Sequence, residues 1–198
     1  STRPYEVASS PVLPRQEVLE RFVENINTLQ ANLRKIGYDK PILVESLDYH
    51  GDISQGAYEY ITEPEFIREI LGRTGARLLL DCAHLLLTAK NRHLEQPGYD
   101  FMEYVRQIVD ETTIGLVDEV HLTVPEYVEG EESMDQHLPF YTDTDAGRDV
   151  RRILAYIFEL RLKQGITKPI IVNFETDIET AHEDVATLAE VLSFTVNK

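Results

Sequence analysis

The stretch ARLLLDCAHLLLTAKNRH, residues 76–93, decides the fold. Within it, the short apolar run Leu78-Leu79-Leu80 follows Gly75 and ends abruptly in Asp81. An apolar run of this length that stops at a carboxylate is typical of a buried parallel strand. Such a strand delivers the acid to its C-terminal end, which is where α/β folds hold their chemistry.

The same pattern, an apolar run that ends in an acid or a histidine, occurs three more times. The runs are Ile42-Leu43-Val44 before Glu45, the strand from Val117 to Thr123 that contains Val120 and His121, and Ile170 to Phe174 before Glu175. Because the C-terminal ends of parallel strands meet at one edge of a sheet, we expect four side chains to converge there. They are Glu45, Asp81, His121 and Glu175.

Amphipathic stripes between these runs predict the helices. A first helix begins at Pro14 and ends at Gly37. Thr62 and Glu65 have the spacing of a capping box and predict a second helix that ends near Gly72 or Gly75. The remaining helices are predicted from a possible cap at Asp100 and Glu103 before Phe101, Val105, Ile108 and Val109, from the face Val150, Ile153, Leu154, Ile157 and Phe158, and from Val185, Leu188 and Leu192.

One helix followed by four strand-helix units predicts an α/β fold with parallel strands and crossover helices. A closed (β/α)₈ TIM barrel needs eight strands and about 250 residues. We therefore interpret residues 1–198 as a single domain that supplies the last four βα units of such a barrel, after an extended lead-in at residues 1–13. Leu78 and Leu80 are expected on a face that an N-terminal half of the same protein, or a second chain, must cover.

Composition limits the function classes. The 198 residues are 42% hydrophobic and 27% charged, as in an ordinary globular protein, with a formal charge of -16 and a pI near 4.7. This charge argues against a nucleic acid or an anionic membrane as partner, because both would be repelled. The single cysteine, Cys82, excludes an internal disulfide bond, and the sequence shows no apolar run of membrane-spanning length and no signal peptide. The expected location is the cytoplasm.

Three carboxylates and an imidazole at one sheet edge repel one another unless a cation neutralises them. Mixed carboxylate and imidazole ligands suit iron, manganese or zinc better than calcium, and the lack of a cysteine pair argues against a structural zinc site. Taken alone, Asp81 is equally well explained as a helix cap or an ion-pair partner. The convergence of four such residues favours a metal.

Further candidate ligands lie outside the strands. Asp135 and His137 are two residues apart in residues 124–147, which we interpret as the longest loop of the chain, and both side chains can face one ion if that loop is extended. His84 is either a ligand one turn beyond Asp81 or a buried capping group. The other histidines, His50, His93 and His182, are interpreted as loop or surface residues. Cys82 is interpreted as a small buried hydrophobe.

The runs ILVES, TEPEFIREILGRTGARLLLD, TAKN, EVHL, MDQH and NFE, in this order, resemble the multinuclear non-haem iron oxidative enzymes (MNIO), formerly an uncharacterised family numbered 692 (DUF692). The resemblance covers the chain from about Pro11 onward. It implies a TIM barrel that binds two or three iron ions and oxidatively modifies a ribosomally made peptide, with cysteine a known target and a separate peptide-delivery protein a frequent partner. The metal ligands that it implies are Glu45, Asp81, His121, Asp135, His137 and Glu175.

The chain departs from the family pattern at several positions. Cys82-Ala83-His84 stands where members usually have V-N-N, so the position of an asparagine ligand is either occupied by His84 or lost. Lys90-Asn91 replaces the usual H-N pair, and Phe174 takes the place of a tryptophan.

Three hypotheses for the function follow. The first is an iron-dependent oxidase that acts on a peptide. The second is a sugar isomerase of the xylose-isomerase type, or a hydrolase, because such barrels also gather Glu, Asp and His around divalent metals. The third is a degenerate barrel without catalytic activity that serves as a binding or assembly subunit.

Overall fold

The protein is described by a computed structural model that covers residues 12–51, 57–94, 96, 98–127, 133–176 and 178–196. Helices and strands alternate along it. The helices are α1 (Arg15–Lys35), α2 (Ala57–Tyr60), α3 (Pro64–Thr74), α4 (Cys82–Arg92), α5 (Met102–Ile108), α6 (Asp145–Lys163) and α7 (Ala181–Val196), with short 3-10 turns at Ile114–Leu116 and Ile178–Thr180. The strands are β1 (Leu43–Glu45), β2 (Arg77–Asp81), β3 (Val117–Leu122), β4 (Val124–Glu126), β5 (Met134–Leu138) and β6 (Ile171–Phe174).

Four strands form one parallel sheet in the order β1-β2-β3-β6. Each neighbouring pair is joined through at least one helix, as is usual between parallel strands. Within the described part of the chain, β1 and β6 are the edges of this sheet. The predicted α/β class with parallel strands is therefore confirmed, whereas the barrel stays a prediction.

The apolar core lies between this sheet and its helices. Leu78, Leu80, Val120 and Leu122 are fully buried, and pairing in register places Leu80 beside Val120. Burial of each such side chain stabilises the fold by about 2 kcal/mol. The expectation that Leu78 and Leu80 line an uncovered face is thus wrong, because residues alternate between the faces of a strand and these two face the core.

The opposite face of the sheet is more polar and partly open. Leu79 pairs with Glu119, and Glu119 pairs with Ile171, so these three side chains form a row across the sheet. Ile171 is 61% exposed. In this row the exposed Ile171 therefore lies next to the acidic Glu119 and not within a continuous apolar layer.

Helix ends follow local chemistry, with one correction. Helix α1 is followed by Gly37 and helix α3 by Gly75, both with positive φ, as predicted for chain reversal after a helix. The capping box of Thr62 is wrong: α3 begins at Pro64 after Glu63, and the Thr62 hydroxyl donates to the Glu59 carbonyl at 2.7 Å. The first residue of a helix has no partner within the helix for its backbone N–H, so proline, which lacks that N–H, is well suited to this position.

Strand β2 passes directly into helix α4. The sequence pattern does not predict this helix, because only one helix is assigned to each strand. The first residue of α4 follows Asp81 without a loop, and the chain then turns into α5. Before α5, the Asp100 carboxylate accepts the Met102 N–H at 3.1 Å, but the predicted cap of Asp100 and Glu103 is wrong, because Phe101 is the N-cap residue and its side chain makes no capping bond.

The interpretation of residues 124–147 as one long loop is wrong. These residues contain a two-stranded antiparallel ribbon, here called the hairpin, in which β4 pairs with β5. Asp135 and His137 lie on β5. The predicted extended lead-in at residues 1–13 falls mostly outside the described residues; only Val12 and Leu13 are described, and neither belongs to a helix or strand.

No helix in the described part of the chain combines the length and apolarity that crossing a membrane requires.

Candidate functional site

The C-terminal edge of the parallel sheet gathers the predicted site residues. Glu45 and Asp81 are the last residues of β1 and β2, and Asp81 pairs in register with His121 near the end of β3. Glu175 directly follows β6. Because all four strands run in the same direction, the four side chains share one edge.

Two groups of potential metal ligands form there among the described residues. The first consists of Glu45, Asp81 and His84, and the second of Asp81, His121 and Glu175. In each group one ligand atom per residue lies within 4.8 Å of the others. Asp81 belongs to both groups, so its carboxylate stands between them.

Asp81 has one occupied and one free carboxylate oxygen. Its Oδ1 accepts the backbone N–H of His84 at 2.9 Å, which caps helix α4, whereas its buried Oδ2 has no hydrogen-bond partner among the described residues. Burial raises the pKa of Asp81 to about 6. A buried carboxylate oxygen without a partner needs a proton or a cation, since leaving it bare is costly.

His84 is oriented by main chain and surrounded by acids. Its Nδ1 lies 2.9 Å from the Ser46 carbonyl oxygen, its Nε2 lies 3.4 Å from Asp135 Oδ2, and Glu45 Oε1 lies 3.6 Å from Nδ1. Burial lowers the pKa of His84, but hydrogen bonding to Asp135 and the charge of Asp81 outweigh it and raise that pKa to about 10. Without another cation, the imidazolium of His84 therefore neutralises this side of the site.

His121 stands between two carboxylates in the second group. Its Nε2 lies 3.0 Å from Glu119 Oε1, and Asn173 Nδ2 lies 3.3 Å from the same nitrogen. Its Nδ1 lies 2.9 Å from Glu175 Oε1, yet this buried nitrogen makes no hydrogen bond of acceptable geometry within the described chain. A histidine whose second nitrogen is held by a carboxylate is the usual arrangement of a metal ligand.

The hairpin brings Asp135 and His137 to the same edge without placing them in either group. Asp135 Oδ2 lies 2.6 Å from His137 Nε2, and His137 Nδ1 lies 3.8 Å from Glu175 Oε2. Burial raises the pKa of Asp135, but the hydrogen bonds and charges of His84 and His137 together outweigh it, and the net shift is downward. Since Asp135 contacts His84 of the first group and His137 approaches Glu175 of the second, the hairpin links the two groups.

The sequence-based assignment missed several residues of the site. Glu119 has no apolar-run signal of its own, because it lies inside β3 two residues before His121. Asp48 pairs with His50, its Oδ2 lying 2.6 Å from His50 Nε2. Burial raises the pKa of Asp48, but the hydrogen bond to His50 and the charge of His84 help to give a net lowering. The spacing of Asp48 and His50 equals that of Asp135 and His137 and was the available signal.

The remaining histidines and the cysteine agree with their predicted roles. His93 stacks on the Tyr99 ring with centroids 3.6 Å apart, and His182 is largely exposed beside Glu183. Cys82 is fully buried, and burial raises the pKa of its thiol. Such a thiol packs as a hydrophobe rather than reacting as a nucleophile.

The donor set fits a divalent cation. Three buried atoms, Asp81 Oδ2, His121 Nδ1 and Asp135 Oδ1, have no hydrogen-bond partner among the described residues, and all are atoms that bind metals. Carboxylates as close as Asp81 and Glu175 repel by about 3 kcal/mol at an effective dielectric constant of about 20. The arrangement is therefore that of a candidate carboxylate and imidazole metal centre at the C-terminal edge of a parallel α/β sheet.

Comparison with known proteins assigns the family. Residues 8–195 match the family model of the RiPP precursor modification enzymes MbnB/TglH/ChrH, where RiPP denotes a ribosomally made and subsequently modified peptide. The chain belongs to this family, which confirms the resemblance found in the sequence.

Curated relatives are similar at low identity. A UPF0276 protein of Psychromonas ingrahamii is 31% identical over 112 residues, which are 57% of this chain and 34% of that protein. UPF0276 proteins of Vibrio vulnificus strains YJ016 and CMCP6 are each 30% identical over 130 residues, which are 64% of this chain and 39% of each protein. The chain thus spans well under half the length of these relatives. No solved structure matches the chain at a significant level.

Proposed function

We propose that this protein is a metal-dependent oxidative enzyme that modifies a ribosomally made peptide, with iron as the metal and cysteine as a target residue. Membership of a family of peptide-modifying enzymes supports the substrate class. The single observation that carries the metal is the pair of ligand groups that share Asp81, whose Oδ2 is buried without a partner in the described chain.

In this proposal each residue has a defined role. Glu45, Asp81 and His84 hold one ion, and Asp81, His121 and Glu175 hold a second, with Asp135 and His137 as further ligands from the hairpin. Two or three ions are proposed, and manganese or zinc are the alternatives to iron. Iron bound here would supply one-electron redox chemistry with dioxygen, which these side chains lack.

The protein itself contributes orientation and access. The Ser46 carbonyl fixes the ring of His84, and Glu119 fixes that of His121, so both imidazoles are held before a metal arrives. His137 is 47% exposed at the rim, where a peptide side chain can approach. A thiolate on that peptide would be an additional soft ligand at an open position.

We also propose that β1, β2, β3 and β6 are four consecutive strands of a (β/α)₈ barrel. The open polar face and the two sheet edges support it, since parallel sheets are normally covered on both faces. The other strands would come from a further part of the same protein or from a second chain. A peptide-delivery protein is proposed as a separate partner.

The first test is metal content. The protein is loaded with ferrous iron without oxygen, desalted and subjected to elemental analysis, beside Asp81→Ala and the control Asp39→Ala, which removes an acid that is 87% exposed. We expect two or more iron ions in the parent and in Asp39→Ala, and a clear loss in Asp81→Ala. Equal iron in both variants would refute the proposed centre.

The second test is peptide modification. The iron-loaded protein is incubated in air with cysteine-containing peptides encoded next to its gene, and the peptide masses are measured. We expect a mass change with the parent that is absent with Asp81→Ala. Iron binding without any mass change, also when the proposed delivery protein is added, would retain the metal centre and reject the peptide-modifying role.

A further inference from the structure

One face of helix α4 holds the segment that follows β1. Three side chains on this face, four and three residues apart, each lie within hydrogen-bond distance of a main-chain carbonyl of that segment. The pairs are His84 Nδ1 with Ser46 at 2.9 Å, Thr88 Oγ1 with Leu47 at 3.1 Å, and Asn91 Nδ2 with Tyr49 at 2.8 Å. Residues at this spacing lie one above another on a helix, so one side of the helix runs along the segment.

Asn91 differs from the other two because it also binds the hairpin. Its Nδ2 donates to the Ser133 carbonyl at 3.1 Å, and its Oδ1 accepts the Ser133 N–H at 3.0 Å. The Asn91 amide therefore pairs with the Ser133 main chain as a neighbouring strand would. Both residues are buried, with 6% and 5% exposure, so these bonds form away from water and losing them is costly.

Ser133 immediately precedes β5, and Asp135 lies two residues further along. Asp135 Oδ2 lies 3.4 Å from Nε2 of His84, which stands at the other end of the same helix face. Helix α4 thus contacts β5 at two points. Asn91 binds Ser133 at the start of the strand, and His84 lies against the candidate ligand Asp135. Fixing Ser133 fixes the register in which Asp135 meets the site.

We infer that Asn91 is a positioning residue that holds the hairpin over the sheet edge, so that Asp135 lies against His84. It touches no reacting group and acts through Ser133 and Asp135. The effect on metal binding rests on the proposed function, whereas the effect on the hairpin does not.

The test compares Asn91→Ala with Thr88→Val. The control removes a buried hydroxyl from the same helix face and one bond to the segment after β1, but keeps both bonds to Ser133. Hydrogen exchange of residues 133–138 is measured without metal, and the dissociation constant is measured with Co²⁺. Asn91→Ala should speed exchange by about tenfold or more and weaken Co²⁺ binding about 10- to 100-fold, the usual effect of losing a group that orients a ligand. Thr88→Val should leave exchange of this segment unchanged.

The route of the effect is tested in an Asp135→Ala background. If Asn91 acts through Asp135, adding Asn91→Ala there should not weaken Co²⁺ binding further. An equal loss in both backgrounds, or unchanged exchange of residues 133–138 in Asn91→Ala, would overturn the inference. If Asn91→Ala does not fold, Asn91→Asp replaces it, since Asp keeps the size and the acceptor but loses both donors, and the same outcomes apply. A parent protein that binds no Co²⁺ would reject the proposed function, and the exchange comparison would then decide the role of Asn91 alone.

Discussion

The Asp81 carboxylate accepts the backbone N–H of His84 at 2.9 Å, so the residue that caps helix α4 also joins the two groups of candidate ligands. One oxygen of the carboxylate serves the fold and the other is free for an ion. The two interpretations that the sequence left open, helix cap and metal ligand, therefore apply to different atoms of one side chain.

Substitutions at Asp81 should separate these two roles. Asp81→Asn keeps an oxygen that can cap the helix but removes the negative charge, whereas Asp81→Ala removes both. We expect both variants to lose metal, and Asp81→Ala to lose about 1 kcal/mol more unfolding free energy than Asp81→Asn, the usual value of a helix cap. Urea unfolding of the metal-free variants measures the difference, and equal stabilities would show that the cap contributes nothing.

His137 should matter for metal binding and little for the fold. It is about half exposed and has a positive φ of 49°, which a side chain disfavours. We expect His137→Ala to lower metal content while the protein stays folded, and His137→Gly to be more stable than His137→Ala by about 1 kcal/mol, because glycine adopts this backbone readily. Metal content that does not change in either variant would remove His137 from the site.

Gly147, near the start of α6, should tolerate no side chain. A Cβ there would lie 2.1 Å from the Thr142 carbonyl oxygen, an impossible contact with main chain. Gly147→Ala should therefore destabilise the protein by about 3 kcal/mol, as overpacking does. Gly72→Ala in helix α3 is the control: nothing lies within 4 Å of its Cβ position, and alanine should stabilise that helix by about 0.5–1 kcal/mol. In thermal unfolding, we expect the midpoint temperature to fall in Gly147→Ala and to rise in Gly72→Ala.

Asp110 should make stability depend on acidity far from the site. Burial raises its pKa, but hydrogen bonds from Thr112, Thr113 and Arg68 outweigh it and hold the pKa at about 2, below the ordinary 3.8. Because this pKa is lowered on folding, the stabilisation is present above about pH 4 and is lost as the pH falls towards 2. With a third of the side chain exposed, the contribution is about 1 kcal/mol after solvent screening.

Asp110→Asn supplies the comparison for this pH dependence. The parent should be more stable than the variant at about pH 6, and the difference should shrink by about pH 2.5, where the carboxylate gains a proton. Urea unfolding at the two pH values measures it. A difference that stays constant would assign the effect to packing instead of charge.

The strands and their converging ends were predictable because apolar runs that end at an acid need only local sequence. Helix α4 was not, since the consecutive Leu85, Leu86 and Leu87 are all buried, and a helix buried on most of its circumference shows no clear apolar stripe. Its start at Asp81 was visible only as the cap that the sequence left as one of two alternatives.

The hairpin and the neighbours of the ligands depend on tertiary structure. Strand β5 is mostly polar and half-exposed, so it has no alternating apolar pattern to reveal it. The pairing of Glu119 with Leu79 depends on how β2 meets β3, whose register shifts between Leu78 and Leu79. A shift of this kind changes which residues face each other and leaves no trace in residue spacing.

The direct passage from β2 into α4 leaves no slack in the chain at the site. One inserted residue after Asp81 would turn the helix by about 100° and advance it by about 1.5 Å. His84, Thr88 and Asn91 would then leave the carbonyls of the segment after β1 together, and the hairpin would lose its anchor in the same step. This junction is therefore closed to insertions and deletions, and any change in chain length around the site has to be accommodated elsewhere.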